Sequence, residues 1–334
     1  MGTAWLLLQL AICAVLIAVG GFVLSRSADR LAEALGWGRG WVGLALLATV
    51  TSLPELASGV SAVTLVAAPN LAVGNVLGAC VVNLAFLVVV DTVQRRQPMF
   101  GAASATHLLS AGLGVVMLGF VALSLATAAH VPALLHVGFY SPLLLVFYLL
   151  ALRSVFVHDQ AQRVTTGPAP GARDIPAIRR EWLRFGAAAV VVLAAGTWLP
   201  SVASALAASL GISRSFAGTV LMALVTTLPE MAVTLSALRL GALDMAIGNL
   251  LGSNLFNLAI LAVDDLFYTR GPLLAHAAPV HAASAATALA MTGLVIVGLV
   301  LRPQGRVLRV TSWISLGLVA AYAMNATVLY LLEG

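Results

Sequence analysis

Charged residues are scarce in this sequence. Of its 334 residues only 9% are Asp, Glu, Lys or Arg, whereas 61% are hydrophobic. A soluble domain carries about 25% charged residues. Lysine is absent altogether, so all 17 basic residues are arginines. Because water cannot solvate a surface of this composition, the sequence excludes an ordinary soluble domain and indicates a protein that lies in a lipid bilayer.

Cysteines and known catalytic motifs are also rare or absent. The only two cysteines, Cys13 and Cys80, both lie in apolar segments. Their spacing indicates neither a metal site nor a redox pair, so we interpret them as small buried side chains. No HExxH, GxSxG or Walker motif is present, which argues against an intramembrane hydrolase and an ATP-driven pump. We therefore expect no enzyme activity and no cofactor.

Long apolar runs are abundant. Each is about 18–28 residues long, enough to cross a hydrocarbon core of roughly 30 Å as a helix. The runs are continuous rather than alternating, which is typical of helices and not of membrane barrels. The sequence predicts an all-α membrane protein with about ten transmembrane helices. Their approximate positions are 4–25, 41–66, 70–92, 102–128, 131–152, 183–208, 215–238, 243–266, 279–301 and 308–331.

The longest polar stretch predicts the domain organisation. Residues 153–182 contain Gly, Pro, Arg and Asp and are typical of a linker. We expect it to join a first five-helix repeat, 1–152, to a second, 183–334. The first span has no basic residue before it and a longer apolar core than a secretion signal, so we interpret it as a transmembrane helix.

The arginines predict the orientation of the chain. With ten spans and the N-terminus outside, 15 of the 17 arginines fall on one side, and only Arg214 and Arg270 fall on the other. Positive residues accumulate on the cytoplasmic side of membrane proteins. Both termini are therefore expected outside the cell membrane, with the linker in the cytoplasm. The same bias explains the net charge of +5. We therefore expect the protein to contact membrane lipid and not to bind nucleic acid.

Two segments recur with their polar residues in register. LAEALGWGRGWVGLALLATVTSLPEL at 31–56 matches LAASLGISRSFAGTVLMALVTTLPEM at 206–231 in 13 of 26 positions. GNVLGACVVNLAFLVVVD at 74–91 matches GNLLGSNLFNLAILAVDD at 248–265 in 10 of 18 positions. Because an odd number of spans separates the copies, each crosses the bilayer in the opposite direction from its partner. Such inverted repeats are typical of secondary transporters.

The first repeated segment has a glutamate near its end, Glu55 or Glu230, that lies near the middle of a predicted span in each half. A charged carboxylate at a helix centre costs about 2.5–3.5 kcal/mol, so a cation or a proton is expected to offset it. Pro54 and Pro229 open the preceding turn, because proline lacks an N–H and clashes with the carbonyl four residues back. The oxygens of these turns then complete a site for hard cations such as Ca²⁺, Mg²⁺, Mn²⁺ or Na⁺. They belong to Ala48, Thr51, Ser52, Ala223, Thr226 and Thr227.

The second repeated segment begins with Gly-Asn-x-Leu-Gly and continues to an asparagine. Glycines four residues apart allow helices to approach closely, so we interpret them as packing positions. The polar side chains of Asn83, Asn257 and Ser253 lie in otherwise apolar spans. We expect them to line the same site as the glutamates.

Paired TSLPE and TTLPE segments, each followed by GNxLG and an asparagine, resemble the two alpha repeats of the cation/calcium antiporter superfamily. The resemblance implies alternating-access exchange of Ca²⁺ for Na⁺ or another cation. It also implies that Glu55 and Glu230 bind Ca²⁺, that Ser253 binds Na⁺, and that oxygens of Ala48, Thr51, Ala223 and Thr226 contribute. Ala79 stands where the family usually has serine, which removes one expected Na⁺ ligand.

Several alternatives stay open at this point. H⁺ can replace Na⁺ as the counter-ion, and Mg²⁺ or Mn²⁺ fits the oxygen ligands almost as well as Ca²⁺. A membrane sensor or scaffold that keeps this fold without transporting is the alternative from another class. The protonated form of each glutamate, bonded to a neighbouring helix, is the purely structural alternative.

Four further aspartates lie near predicted span ends, namely Asp91, Asp244, Asp264 and Asp265. Carboxylates at such positions reach the membrane–water interface, so we interpret all four as interfacial. Asp91 and Asp265 occupy matching positions in the repeat, which also allows a contact at the helix ends.

The arginine bias makes a prediction about topology. In a variant without Cys13 and Cys80, a single cysteine introduced at Ala169 should react with a membrane-impermeant maleimide only after the cells are permeabilised. A cysteine introduced at Gly2 provides the external control and should react in intact cells. Labelling of the Ala169 position in intact cells would contradict the orientation.

Overall fold

The computed structural model describes residues 2–35, 47–94, 98–104, 106–127, 130, 132–163, 175–303, 305, 307 and 310–333. In the first half the elements are α1 (Thr3–Leu35), α2 (Ala48–Thr51), α3 (Leu53–Thr64), α4 (Pro69–Val93), α5 (Met99–Ala102), α6 (Thr106–Thr127), β1 (Ala133–Leu134), β2 (Val137–Gly138) and α7 (Tyr140–Arg163). The two short strands pair antiparallel.

The second half repeats this order without a hairpin among its described residues. Its elements are α8 (Ile175–Leu210), α9 (Arg214–Phe216), a π-helix (Ala217–Met222), α10 (Ala223–Thr226), α11 (Leu228–Arg239), α12 (Leu243–Phe267), a 3₁₀ helix (Leu273–His276), α13 (His281–Leu301) and α14 (Trp313–Glu333).

The described helices match the predicted membrane spans. Seven are long and apolar enough to cross a bilayer, and the pair Arg214–Thr226 and Leu228–Arg239, bent by 41°, forms an eighth. The apolar part of α7, Tyr140–Val155, is shorter. The start of the predicted span 41–66, up to residue 46, lies outside the described part of the chain, and α2 and α3 are the described part of this span. The predicted fold class, a multi-pass all-helical membrane protein, is confirmed, and the count of ten is consistent with these helices.

The helix boundaries differ from the prediction at the end of α1, which runs to Leu35 and not to 25, before the fifth helix and in the linker. Residues 133–138 form the β1–β2 hairpin, so the fifth helix begins at Tyr140 and not near 131. Within the predicted linker, α7 continues to Arg163 and α8 already begins at Ile175, because helices extend beyond the apolar core that a span prediction detects. Residues 164–174 lie outside the described part of the chain, so the domain boundaries stay a prediction.

The two halves are interleaved around one core. Helix α4 of the first half packs against α13 and α14 of the second, and α12 of the second half packs against α6 and α7 of the first. Helix α4 also lies directly on the π-helix, where a Cβ added to Gly78 would lie 2.2 Å from the carbonyl oxygen of Thr219. Glycine is required at this position because the two backbones touch. This packing places α4 and α12 in the centre of the protein.

Asp91 fastens the end of α4 to the last helix. One of its carboxylate oxygens, Oδ2, accepts hydrogen bonds of 2.7 Å from the Thr311 hydroxyl, the Ser312 N–H and the Ser315 hydroxyl. These donors lie at the start of α14, where N–H groups have no partner within the helix. The aspartate therefore caps the fifth helix of the opposite half.

Asp265 makes the equivalent connection at the end of α12. It accepts hydrogen bonds from the Gly138 N–H, the Tyr140 hydroxyl, the Ser141 hydroxyl and the Leu273 N–H, at 2.5–2.8 Å. Three of these donors lie at the start of α7. Each half thus holds the fifth helix of the other, and the pairing of these two aspartates in the repeat reflects a reciprocal contact.

Three of the four aspartates are buried and not exposed at the helix ends, and Asp91 and Asp265 make the helix-end contact that their matching positions allowed. Asp91, Asp264 and Asp265 are at most 2% exposed, because the interleaved helices and the loops beside them cover the ends of α4 and α12. Asp244 is exposed as predicted, and it accepts hydrogen bonds from the Ser104 N–H and interacts with His107 at 2.9 Å.

The reciprocal contact predicts a stability effect. Asp265→Ala should lower the apparent melting temperature of the detergent-solubilised protein markedly, because each buried donor left without a partner costs about 1–3 kcal/mol. Leu266→Ala, which shortens an exposed side chain at the neighbouring position, is the control and should shift it little. Equal shifts in the two variants, measured by thermal-stability gel filtration, would contradict the role of Asp265.

Candidate cation-binding site

Both Pro-Glu segments interrupt a membrane span. Ser52 separates α2 from α3 with φ −87° and ψ 12°, and Thr227 separates α10 from α11 with φ −80° and ψ 1°. In each case the proline is in the first turn of the second helix, where its missing N–H has no consequence. The predicted opening of the turn before each glutamate is therefore present in both halves.

The backbone oxygens of these turns are partly occupied. The Ala48 carbonyl accepts hydrogen bonds from the Ser52 N–H at 3.1 Å and the Thr51 hydroxyl at 3.2 Å. The Ala223 carbonyl accepts from the Thr227 N–H and from the hydroxyls of Thr226 and Thr227. Each of these hydroxyls must turn away before the carbonyl oxygen can bind a cation.

The two glutamates lie completely inside the protein. Glu55 and Glu230 are both 0% exposed. One oxygen of Glu230 accepts a hydrogen bond from the Ser52 hydroxyl at 2.8 Å, a contact between the two halves. The other oxygen of Glu230 and both oxygens of Glu55 have no hydrogen-bond partner among the described residues. Two ionised carboxylates that are buried with so few partners carry a large desolvation cost, so this pair requires a cation or a proton.

Hydroxyl groups lie beside each carboxylate, and at least one of them comes from the opposite half. Thr51 and Ser253 lie beside Glu230, and their hydroxyl oxygens are 3.5 Å apart. Thr226 lies beside Glu55 and donates a hydrogen bond to Asn75 at 3.1 Å. The site is therefore built from both repeats, because each carboxylate lies beside a hydroxyl oxygen of the other repeat.

Thr227 does not occupy the place that the repeat predicts for it. Its counterpart Ser52 bonds Glu230, whereas the Thr227 hydroxyl bonds back to the carbonyls of Ala223 and Leu224 at 2.8 and 3.3 Å. A threonine hydroxyl readily bonds the carbonyl one turn earlier in a helix. Among the described contacts, the Thr227 hydroxyl thus bonds only its own turn and neither carboxylate.

The predicted asparagines are buried with unused polar atoms. Asn83 donates to the side-chain oxygen of Asn254 at 3.1 Å, but its own oxygen has no partner among the described residues. Both polar atoms of the Asn257 amide are likewise unpartnered, and the side chain is 0% exposed. These amides leave oxygens available to a cation.

Three asparagines at the site were missed. Asn75 accepts from Thr226, Asn249 donates to the Glu230 carbonyl at 3.3 Å, and Asn254 links Asn83 to the Cys80 carbonyl. Asn75 and Asn249 are the repeated asparagines of the Gly-Asn-x-Leu-Gly segments. Their recurrence in register was the available signal, but only the glycines of these segments received an interpretation, as packing positions.

The ligand types limit the chemistry of the site. Among the described residues no group of three His, Cys, Asp or Glu side chains converges to hold a metal ion. A cation between the two glutamates would therefore depend on hydroxyl, amide and backbone oxygens for the rest of its coordination. Such all-oxygen surroundings suit weakly held hard cations, as a transport site requires, and not a tightly bound structural transition metal.

The interleaved inverted repeats and this buried oxygen site define an integral membrane transporter. The chain belongs to the family of sodium/calcium exchanger proteins, whose model matches residues 5–165 and 181–331. Members of this family are transporters and not enzymes, which confirms both the resemblance seen in the repeats and the expectation of no enzyme activity. The unmatched residues between the two stretches lie within the predicted linker.

Individual relatives agree with this assignment. The inner membrane protein YrbG of Escherichia coli is 26% identical over 292 residues, which covers 76% of this chain and 82% of YrbG. The sodium/calcium exchanger MaX1 of Methanosarcina acetivorans is 48% identical over 60 residues, 18% of this chain and 17% of MaX1. A solved structure of the sodium-calcium exchanger NCX_Mj shares the fold with a TM-score of 0.66 and 19% identity, covering 98% of this chain and 99% of NCX_Mj.

The two glutamates generate a prediction about binding. Wild-type protein in detergent should be stabilised against heat by millimolar Ca²⁺, and Glu55→Gln and Glu230→Gln should each remove this stabilisation, because the amide keeps the size but not the charge. Mg²⁺ and Mn²⁺ are tested in the same way.

The control for this measurement is Glu181→Gln. Glu181 lies outside the site and pairs with Arg30 and Arg184, so its variant should respond to the cation like the wild type. Full stabilisation of either site variant by the cation that stabilises the wild type would contradict a two-carboxylate site.

Proposed function

We propose that this protein is a secondary active antiporter that exchanges Ca²⁺ for Na⁺ across the cell membrane by alternating access. The observation that carries the proposal is the pair of fully buried glutamates, Glu55 and Glu230, of whose four oxygens three have no partner among the described residues. Uncompensated charges in such surroundings cost several kcal/mol each, so occupancy by cations or protons is built into the site.

Charge balance favours a divalent ion alternating with monovalent ones. Two ionised carboxylates neutralise one Ca²⁺, and two Na⁺ ions or two protons replace it without net change in charge. The positive charge held in the site therefore stays nearly constant while Ca²⁺ and the monovalent ions alternate. An empty site would leave both ionised glutamates buried without compensation, which is costly. One ion therefore leaves only when another replaces it, and this requirement couples the two fluxes of an exchanger.

Two further observations support Na⁺ as the counter-ion. The hydroxyls of Thr51 and Ser253 lie together beside Glu230 and provide neutral oxygens of the kind that Na⁺ binds. The similar proteins MaX1 and NCX_Mj are named as sodium/calcium exchangers.

The crosswise contacts support alternating access. Ser52 of the first half bonds Glu230 of the second, and Thr226 of the second half bonds Asn75 of the first. Because the halves are inverted repeats, an arrangement open to one side of the membrane has a counterpart open to the other. With 15 of the 17 arginines on one side, we place both termini outside and the linker in the cytoplasm.

Proton coupling is the second candidate. It is favoured by Ala79, which is fully buried at the position that repeats Ser253 and offers no hydroxyl to a Na⁺ ion. The two unpartnered oxygens of Glu55 can hold a proton in place of a metal ion. A sensor or scaffold that does not transport is separated from both candidates by the flux experiment below.

Flux into liposomes tests the proposal. Purified protein is reconstituted, and radiolabelled Ca²⁺ uptake is measured with gradients of Na⁺, K⁺ and H⁺ imposed separately. Uptake should follow the Na⁺ gradient. Uptake that ignores Na⁺ and follows pH would overturn Na⁺ coupling, and no uptake under any gradient would overturn transport of Ca²⁺.

Ala79→Ser supplies a sharper prediction. If one Na⁺ site lacks a hydroxyl, restoring it should raise the apparent Na⁺ affinity or steepen the Na⁺ dependence of uptake. Ser253→Ala should have the opposite effect, and Ser110→Ala, which removes a buried hydroxyl on α6 outside the site, should leave the Na⁺ dependence unchanged. An unchanged Na⁺ dependence in both Ala79→Ser and Ser253→Ala would contradict a role for these positions in Na⁺ binding.

A further inference from the structure

Asp264 is a third buried carboxylate in the centre of the fold. It lies one turn before the end of α12, yet it is 0% exposed. Both of its oxygens lack a hydrogen-bond partner among the described residues, whereas the adjacent Asp265 accepts four hydrogen bonds. Hydrogen bonds thus explain how the carboxylate of Asp265 is buried, whereas no described hydrogen bond does so for Asp264.

The position of Asp264 is fixed by its contact with α3. A Cβ added to Gly59 would lie 2.3 Å from Oδ2 of Asp264, so the carboxylate fills the space that the missing side chain leaves. Gly59 follows Glu55 by four residues, which places both on one face of α3. The carboxylate of Asp264 therefore lies on the same side of α3 as the central site, about one turn further along.

A second contact orients the two helices. At the other end of this interface, the hydroxyls of Thr51 and Ser253 are 3.5 Å apart. From the pair Thr51–Ser253 to the pair Gly59–Asp264, the residue numbers rise in both segments. The broken span of α2 and α3 is therefore parallel to α12 here. Glu55 and Asn257 lie between these two pairs in their respective segments.

One face of α12 therefore carries a row of polar groups. From Ser253, steps of 4 and 11 residues return to within about 40° of the same face, which aligns it with Asn257 and Asp264. All six polar side-chain atoms of Glu55, Asn257 and Asp264 lack partners among the described residues. Oxygens on carboxylates and amides are the ligands of hard cations.

We propose that Asp264 is a further cation-binding residue of the exchange path, contacted by the cation as it moves between the glutamate pair and the membrane face at which α3 and α12 end. The proposal rests on the antiport function proposed above. From Asn257 to Asp264 the helix rises about 10 Å, toward the face opposite the arginine-rich one. The buried charge at Asp264 is then compensated when a cation is present.

The opposite path lacks this residue. The repeat replaces Asp264 by Val90 and Gly59 by Thr234, both of them buried. The pseudo-symmetric transporter therefore carries the additional carboxylate on one side only. Its effect should depend on the side from which the cation arrives.

The experiment compares Asp264→Asn with the wild type in proteoliposomes of known orientation. The Ca²⁺ concentration for half-maximal uptake of radiolabelled Ca²⁺ is measured from each face. It should rise about tenfold, equivalent to about 1.4 kcal/mol, from the face at which α12 ends and stay constant from the other. Asp264→Glu should restore the wild-type value, and Asp244→Asn, an exposed acid on the same helix, should not change it.

Gly59→Ala tests the same group without removing its charge. The added methyl must displace the Asp264 carboxylate, so the half-maximal Ca²⁺ concentration should rise on the same face only. Gly59→Ala therefore still tests the cation-binding role of Asp264 if Asp264→Asn fails to fold.

Three results would overturn the proposal. They are an unchanged half-maximal concentration, a lower maximal rate with equal Ca²⁺ dependence from both faces, and an altered pH dependence with unchanged Ca²⁺ dependence, which would assign Asp264 a proton. Wild-type protein without Ca²⁺ flux would instead remove the antiport function on which the proposal rests.

Discussion

Burial of carboxylates in a medium that cannot solvate them is the constraint on which this structure depends. Glu55 and Glu230 are fully buried, so an ionised group there is removed from bulk water. Among the described residues the pair receives one strong hydrogen bond, from Ser52, and the other polar groups around it are neutral. A low-dielectric interior makes such a site sensitive to the presence of a cation, and this sensitivity is what a transporter needs.

The interleaved repeats are the means by which the fold holds that site. Each glutamate faces hydroxyls from the other half, and Asp91 and Asp265 each cap the fifth helix of the opposite half. In the proposed exchange cycle, a movement of one half would therefore reach the oxygens around the glutamates and the helix ends at the same time. The near-symmetry of these contacts would then relate the two access states, while Asp264, Val90 and the differing hydroxyls of Ser52 and Thr227 distinguish the two halves.

Function in this chain is distributed over a pattern of polar residues that individually look ordinary. The asparagines of the Gly-Asn-x-Leu-Gly segments are an example, since Asn75 and Asn249 are bound to the broken helices through Thr226 and the Glu230 carbonyl. Each amide keeps one atom without a partner among the described residues, the nitrogen of Asn75 and the oxygen of Asn249. They can fix the geometry of the broken turns, and Asn249 leaves an oxygen for a cation.

The sequence by itself determined the bilayer environment, the inverted repeats, the broken spans and the two central glutamates, because composition, span length and the in-register Pro-Glu motifs depend only on order along the chain. Only the tertiary structure decided which oxygens meet. It turned Thr227 toward its own helix, buried Asp91, Asp264 and Asp265 against the opposite half, and placed Asp264 beside Gly59. The Thr227 hydroxyl bonds a carbonyl only four residues back, in place of the carboxylate that the repeat predicts. The places of the aspartates follow from helix packing between residues roughly 125–220 positions apart, which no local pattern encodes.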